Sequence, residues 1–166
     1  MQHPIEQPLF ETLFAREYRG VLSVARRIVG PAAAEDVAQE AFAAFLHGGP
    51  PEEAHARNWL YRVAVHRSLD LLKRDRSRNE RELRVARPES PPQPDEMLER
   101  REDRAIVQRA LRSMKARDAA VLLLRHSGFS YREIADVVNV PVERVGVLLI
   151  RAEAALKKEL NRVSPQ

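Results

Sequence analysis

The segment from Ser130 to Leu149, SYREIADVVNVPVERVGVLL, most constrains what this chain can fold into. Its apolar residues recur at helical spacing in two short groups, with Asn139 between them. Two short helices that cross steeply would bury these apolar positions, which are Ile134, Val138, Val140, Val145 and Leu148. After glycine, asparagine is the residue that most readily adopts a left-handed backbone at such a turn. The segment therefore predicts a helix-turn-helix, a unit that usually places its second helix in the major groove of DNA.

Local signals support the boundaries of this unit. Ser130 and Glu133 have the spacing of a capping box, which predicts where the first helix begins. Pro141 falls just after the turn, where its missing N–H costs a new helix little. Ala135 is small where the two helices cross. The alternative is an ordinary helical hairpin in an all-α core.

Helical periodicity also dominates the first half of the chain. Apolar residues from Leu9 to Ile28 follow three-and-four spacing, Gly30 ends this helix, and Pro31 can open the next. The second helix is expected to stop at the run GGPP that begins at Gly48. A polar loop to about residue 56 and a third helix from about residue 58 follow.

A proline-rich segment divides the chain. Arg87–Pro94, RPESPPQP, holds four of the eleven prolines and cannot propagate a helix. We expect helices again from about Asp95, over about Arg117–His126, and through the helix-turn-helix to about Leu160. The predicted fold class is therefore all-α, with two small helical domains at 1–86 and 96–166 and a linker at 87–95.

Charge is distributed unevenly over this framework. The whole chain carries a net charge of +4, but residues 57–87 hold ten Lys and Arg against four Asp and Glu. Residues 1–56 are acidic, with four basic and eight acidic side chains. Basic surface attracts phosphate backbones, so the two parts suggest two different partners. A solvated charged face without a function is the alternative for the basic part.

Several function classes lack support in the residues. Without cysteine, the chain has neither disulfides nor thiolate metal ligands, and with no signal peptide at its start we expect a cytoplasmic protein. Phosphate-binding glycine loops and nucleophile motifs are absent, and the five histidines are dispersed. Asp36 and Glu40 lie one helical turn apart, but an exposed acidic face explains them as well as a cation would. We therefore expect no catalysis, no metal, no cofactor and no small-molecule substrate.

The predicted third helix combines cations with aromatic side chains, a pattern that suits unpaired nucleic acid because bases stack on rings. Trp59 and Tyr61 are its aromatic residues. Its basic residues are Arg62, His66, Arg67, Lys73, Arg74, Arg76 and Arg78. The alternative places Trp59 in the core and Tyr61 on the surface, and for Trp59 a core position is the favoured interpretation.

The order of these segments resembles the extracytoplasmic-function (ECF) group of bacterial RNA polymerase sigma factors. The resemblance spans about Phe10 to Leu160 and rests on DVAQEAF, NWLYRVAVHRSLDLLKRDRSR, the proline-rich linker and LLLRHSGFSYREIADVVNV. Each motif alone is weak, whereas the combination is specific. The resemblance implies a factor that binds core polymerase, directs it to promoters and assists strand opening.

The resemblance also implies roles for individual residues. The side chains that would dock on the β′ clamp helices of core polymerase are Asp36, Gln39, Glu40 and Phe42. The loop Gly48–Arg57 would capture a base flipped out of the downstream promoter element. The residues that would help melt that element are Asn58, Trp59, Arg62, Val63, His66, Arg67, Lys73 and Arg74. The linker would run toward the active-site and RNA-exit channels of the polymerase.

The helix-turn-helix would read the upstream promoter element, and the second domain would contact the β flap. The residues implied for upstream reading are Arg125, Arg132, Val142, Glu143, Arg144, Gly146, Val147, Ile150 and Arg151. An anti-sigma factor is a further partner that the resemblance implies. The chain departs from the family at His66, where asparagine is common. It departs again in the recognition helix, where Gly146, Val147 and Leu148 replace polar residues.

Two other functions remain open from the sequence. The main rival is a stand-alone helix-turn-helix regulator that binds duplex DNA as a dimer. No heptad or ligand-sensing segment supports it. The third hypothesis is an adaptor whose helix-turn-helix binds only protein.

Overall fold

The computed structural model describes residues 5–81 and 98–163, and within these ranges the chain forms seven α-helices and no strand. The helices are α1 (Gln7–Val29), α2 (Pro31–Gly48), α3 (Glu53–Arg81), α4 (Leu98–Ser113), α5 (Ala116–His126), α6 (Tyr131–Val138) and α7 (Val142–Val163). The all-α prediction is confirmed. The proline-rich segment Arg87–Pro94 lies outside the described residues.

The first domain packs α1, α2 and α3 against one another. Gly30 ends α1 with a left-handed φ of 87°, a conformation that glycine adopts without a Cβ penalty, and its N–H donates to the carbonyl of Arg26. Pro31 then opens α2 at its first position, as the sequence predicted. The largest fully buried side chains of this domain include Leu13, Phe45 and Leu60.

The third helix is longer than the sequence indicated. It begins at Glu53 instead of near Asn58, and the N–H groups of His55 and Ala56 already donate to the carbonyl of Glu52. The predicted loop from Gly48 to about Ala56 was therefore wrong in its second half. A first helical turn at the surface needs no apolar face, and acidic residues there interact favourably with the helix dipole. Polar character alone therefore did not mark a loop.

The second domain contains the predicted helix-turn-helix. The Ser130 N–H donates to Glu133 Oε2 over 2.7 Å, and the Glu133 N–H donates to Ser130 Oγ over 3.2 Å, which completes the capping box. Asn139 has φ 56° and ψ 59°, the left-handed conformation expected at the turn. Ile134 and Val145 are fully buried between the helices.

The two domains are in direct contact, which the sequence did not indicate. Helix α3 packs on α6, and α1 packs on α4 and α5, so that one cluster of buried apolar residues runs through both domains. At its centre the rings of Tyr61 and Phe129 lie 4.7 Å apart, centroid to centroid. We call this contact, formed around Arg57, Tyr61 and Phe129, the interdomain joint.

Candidate nucleic-acid interface

Helix α2 presents an acidic and amide-bearing face to solvent. The side chains of Asp36, Gln39 and Glu40 are exposed, while Phe42 is only 2% exposed. The Phe42 ring packs against three aromatic rings of α1, at centroid distances of 6.1 Å from Phe10, 5.1 Å from Phe14 and 5.8 Å from Tyr18. Phe42 therefore holds α2 from behind and is not part of the exposed face.

Helix α3 carries most of the predicted downstream residues along one stripe, since they are spaced by three, four or seven positions. Arg62, His66, Arg67, Lys73 and Arg74 are exposed, whereas Asn58, Trp59 and Val63 are half-buried. Buried Asn58 Oδ1 has no hydrogen-bond partner among the described residues. The stripe is not uniformly basic, because Asp70 is exposed along it.

The acidic face of α2 and the basic stripe of α3 touch at one point. Arg67 Nε lies 3.3 Å from Glu40 Oε2, and both side chains are more than half exposed. Such an exposed pair adds about 0–1 kcal/mol to stability and is easily exchanged for other partners. The acidic face of α2 and the basic stripe of α3, which come from separate sequence motifs, are therefore neighbours on the surface.

The two aromatic residues of α3 do not form an exposed stacking platform. Tyr61 is 3% exposed, so the alternative that placed it on the surface was wrong. Burial, and secondarily the nearby Glu17 carboxylate, raises the pKa of Tyr61, whereas the guanidinium of Arg57 opposes that shift. Trp59 is half-buried, and the centroid of its ring lies 5.9 Å from that of Phe45, in keeping with its expected packing role.

Arg57 lies at the contact between the two domains, a position that its sequence context does not indicate. Its guanidinium lies 3.9 Å from the centroid of the Phe129 ring, and its Nη2 donates to the Ser127 carbonyl over 3.2 Å. Its Nε lies 3.5 Å from Glu17 Oε2, and its Nη1 lies 3.9 Å from Glu133 Oε1. One residue of α3 thus contacts α1, the α5–α6 turn and α6. No local pattern around residue 57 indicates these partners.

The predicted upstream residues form two groups. Val142, Glu143, Arg144, Val147 and Ile150 are exposed on the first turns of α7, and Arg132 is exposed on α6.

The other group is held by contacts within the domain. Arg151 Nη2 donates to Asp118 Oδ1 over 2.8 Å, and the Asp118 side chain is only 6% exposed. Arg125 lies over the Tyr131 ring at 5.4 Å and donates to the Phe129 carbonyl over 3.2 Å. These two arginines therefore also stabilise the helix-turn-helix.

Other kinds of site find little support in the described parts of the chain. No group of His, Asp and Glu side chains there could hold a metal ion. A cleft of about 400 Å³ lies between the domains, lined mainly by apolar residues and by Arg27 and Arg112. It lacks the several convergent polar groups that orient a small-molecule substrate. None of the described helices is long and apolar enough to cross a membrane.

Comparison with protein families gives two matches, in the order of the two domains. Residues 13–78 match the model for sigma-70 region 2, and residues 104–156 match the model for sigma-70 region 4. Among curated proteins, the RNA polymerase sigma factor YlaC of Bacillus subtilis (strain 168) is 29% identical over 163 residues, with 92% of each chain covered.

Two solved structures share the fold. One is the sigma factor RpoE of Bartonella quintana in complex with the anti-sigma factor NepR, with a TM-score of 0.69 and 17% identity over 92% of this chain and 96% of that one. The other is CnrH in complex with the cytosolic domain of CnrY, with a TM-score of 0.70 and 24% identity over 96% of this chain and 92% of that one. At these identities the two structures establish similarity of fold alone.

Proposed function

Since this chain belongs to the ECF group of sigma-70 RNA polymerase sigma factors, we propose that its first domain, at 1–86, docks on core polymerase and opens the promoter, while its second, at 96–166, reads the upstream element. A sigma factor of this group binds core RNA polymerase, directs it to promoter DNA and assists strand opening. The observation that carries the assignment is that regions 2 and 4 match in order, each on its own helical domain.

The exposed face of α2 is proposed to bind the β′ clamp helices of core polymerase. Asp36, Gln39 and Glu40 offer carboxylate and amide groups to basic partners, and the buried Phe42 fixes the helix that carries them. For the second domain we propose contact with the β flap. Neither promoter-binding domain needs high affinity alone, because core polymerase joins two weak DNA contacts into one strong one.

The double substitution Asp36→Ala and Gln39→Ala tests this docking face. We expect it to weaken core binding at least tenfold, about 1.4 kcal/mol, while the thermal unfolding temperature stays near that of the wild type. The matched control is Gln7→Ala with Glu11→Ala, which removes the same two chemical groups from the exposed start of α1. Unchanged core binding in the first variant would place the docking face elsewhere.

The stripe on α3 is proposed to hold the melted downstream element. Exposed Arg62 and Arg67 supply charge for the phosphate backbone, exposed His66 supplies a hydrogen-bonding group, and half-buried Trp59 and Val63 form the apolar floor of the stripe. The segment proposed to capture a flipped base, 48–57, ends inside α3 at Arg57, so a DNA contact by Arg57 requires that its contacts in the interdomain joint be exchanged.

Arg62→Ala tests the stripe without disturbing the ion pair between Arg67 and Glu40. We expect this variant to reduce open-complex formation more strongly than core binding. The permanganate reactivity of unpaired thymines measures open-complex formation. Arg67→Ala should act in the same direction, and Arg19→Ala on the exposed side of α1 is the control. Equal losses in both assays would count against a role in melting.

Run-off transcription tests the whole assignment. Purified core polymerase and genomic promoter fragments from the same host would be incubated with and without this protein. We expect promoter-specific transcripts only when it is added. Absence of transcripts and of core binding, together with specific gel shifts of duplex DNA by the protein alone, would favour a stand-alone regulator.

We propose regulation by an anti-sigma factor because one structure of similar fold is a complex of a sigma factor with the anti-sigma factor NepR, and another is a complex of CnrH with the cytosolic domain of CnrY. We further propose that the protein works in the cytoplasm beside polymerase and performs no covalent chemistry of its own. A pull-down from host cells tests the proposed regulation by an anti-sigma factor. A captured protein would be identified as that partner if adding it to the transcription reaction abolishes promoter-specific transcripts.

A further inference from the structure

We propose that α7 recognises thymine in the upstream promoter element through apolar contacts of Val147 and Ile150 with the thymine C5-methyl groups. The inference rests on the proposed function of the second domain as reader of that element. It goes further by naming the base, the chemical group that is read and the two side chains that read it.

The first observation is the unusual exposure of these two residues. Val147 is 68% exposed and Ile150 is 69% exposed, whereas the other exposed large hydrophobic side chains among the described residues lie between 39% and 45%. They are three positions apart on α7 and therefore lie on the same face of the helix. Both are β-branched and stiff at χ1, so little side-chain freedom is lost when they are covered.

The second observation is that hydrogen-bonding side chains flank these two positions without occupying them, since Glu143 and Arg144 lie one turn before Val147 and Arg151 follows Ile150. Gly146, Val147 and Ile150 provide no side-chain donor or acceptor for a base edge. A Cβ at position 146 would meet nothing closer than 3.7 Å, the distance to Tyr131 Cε2, so internal packing does not require glycine there. A bare backbone at this position allows the helix to approach a groove closely.

The chemistry of the surroundings favours duplex DNA as the occupant of this face. Arg144, three positions before Val147 on α7, and Arg132 on α6 are exposed together with the carboxylate of Glu143, and the ion pairs among the described residues include none of the three. Positive charge beside an apolar pair complements a polyanion with an apolar group in its groove, and in the major groove that group is the thymine methyl. An apolar protein surface would leave both guanidinium groups without partners.

The test uses deoxyuridine, which differs from thymidine only by the missing methyl group and keeps the same hydrogen-bonding edge. Promoter duplexes found by run-off transcription would carry single dT-to-dU replacements across the upstream element. Binding of the holoenzyme to each duplex would be measured. We expect about a fourfold loss for each methyl group that is read, at one or two neighbouring positions.

The double variant Val147→Ala with Ile150→Ala links that loss to this face. Its holoenzyme should bind the thymine promoter more weakly than the wild type and should be insensitive to the dU replacements. The control Val107→Ala removes an exposed apolar side chain from α4 and should keep the full thymine preference. Circular dichroism and thermal unfolding of the free variants check that the domain is intact.

The outcomes separate this inference from the proposed function. Promoter-specific transcription with no loss at any dU position would overturn methyl reading and leave the sigma-factor assignment intact. A dU effect that persists unchanged in the double variant would assign the methyl contact to other residues and would equally overturn the proposal. Failure to obtain any promoter-specific transcription would contradict both the sigma-factor assignment and the proposed recognition of thymine.

Discussion

Tyr61 lies on α3, the helix proposed to hold the downstream element, but its side chain packs in the interior. Its ring packs edge-on against Phe129 of the second domain, and its hydroxyl lies against the backbone of α1 at Gly20. An ionised phenolate there would lose its hydration, and the nearby Arg57 guanidinium offsets only part of that loss, so the pKa of Tyr61 remains raised. Tyr61 therefore stays neutral at physiological pH.

A pH dependence of stability follows from the raised pKa of Tyr61. The unfolded chain would ionise near the ordinary value of 10.0, before the folded chain does. The contribution of Tyr61 to the free energy of unfolding is therefore complete below that pH. It is lost as the pH rises from there through the pKa that Tyr61 has in the folded protein. Urea unfolding from about pH 8 to about pH 11 should show a falling free energy of unfolding, less steep in Tyr61→Phe. The exposed Tyr131 provides the control Tyr131→Phe, and identical slopes in the wild type and Tyr61→Phe would contradict the prediction.

Helices α1 and α3 approach closely where α1 carries Gly20. A Cβ on Gly20 would lie only 2.0 Å from the Tyr61 hydroxyl oxygen and 3.2 Å from Cζ of the same ring. The ring is clamped by Phe129 and cannot withdraw freely. Glycine at this position therefore sets the separation of the two helices.

Gly20→Ala should accordingly destabilise the protein by about 1–3 kcal/mol, because overpacking outweighs the gain in helix propensity of about 0.5–1 kcal/mol. Denaturant titration measures the effect, and adding Tyr61→Phe should recover part of the loss, since it removes the overlapping oxygen. Gly146→Ala, where a Cβ makes only ordinary contact, is the control and should stabilise slightly. If Gly20→Ala were as stable as the control, the close approach would be disproved.

At the level of elements, local signals predicted most of the fold. Gly30, Pro31, Ser130, Glu133 and Asn139 each act within a turn or two of the backbone, and all five take the roles that their chemistry predicted. The start of α3 was misplaced, because a polar surface turn of a helix and a polar loop have the same composition. Tyr61 was misjudged for a different reason: helical periodicity identifies faces but does not say which of them another domain covers.

The whole molecule depends on a joint whose partners are far apart in sequence. Arg57 donates to the carbonyl of Ser127, 70 residues away, and its guanidinium covers the ring of Phe129. Its ion-pair partners Glu17 and Glu133 come from different domains. The proline-rich segment made the division into two domains predictable. The closed arrangement of the domains was not predictable, because contacts between residues so far apart in sequence leave no periodic signal.

Arg57→Gln should loosen this joint while leaving each domain folded. The shorter, neutral side chain loses both ion pairs and the cation–π contacts with Phe129 and Tyr61. Each cation–π contact is worth about 0.5–2 kcal/mol, and each ion pair about 0–1 kcal/mol. Small-angle scattering should give a larger radius of gyration, and circular dichroism should report unchanged helix content. Arg16→Gln, which removes an exposed pair with Glu53 inside the first domain, is the control. An unchanged radius in Arg57→Gln would show that apolar packing alone holds the domains together.

The joint also bears on how such proteins can be recombined. The two domains of this chain are fitted to each other through Arg57 and Tyr61 on one side and Phe129 and Glu133 on the other. A chimera that takes its second half from a relative would inherit a docking surface shaped for another first half. Such a chimera should adopt the closed arrangement when free only as well as those four positions match, so an exchange of domains that keeps this arrangement must transfer all four residues.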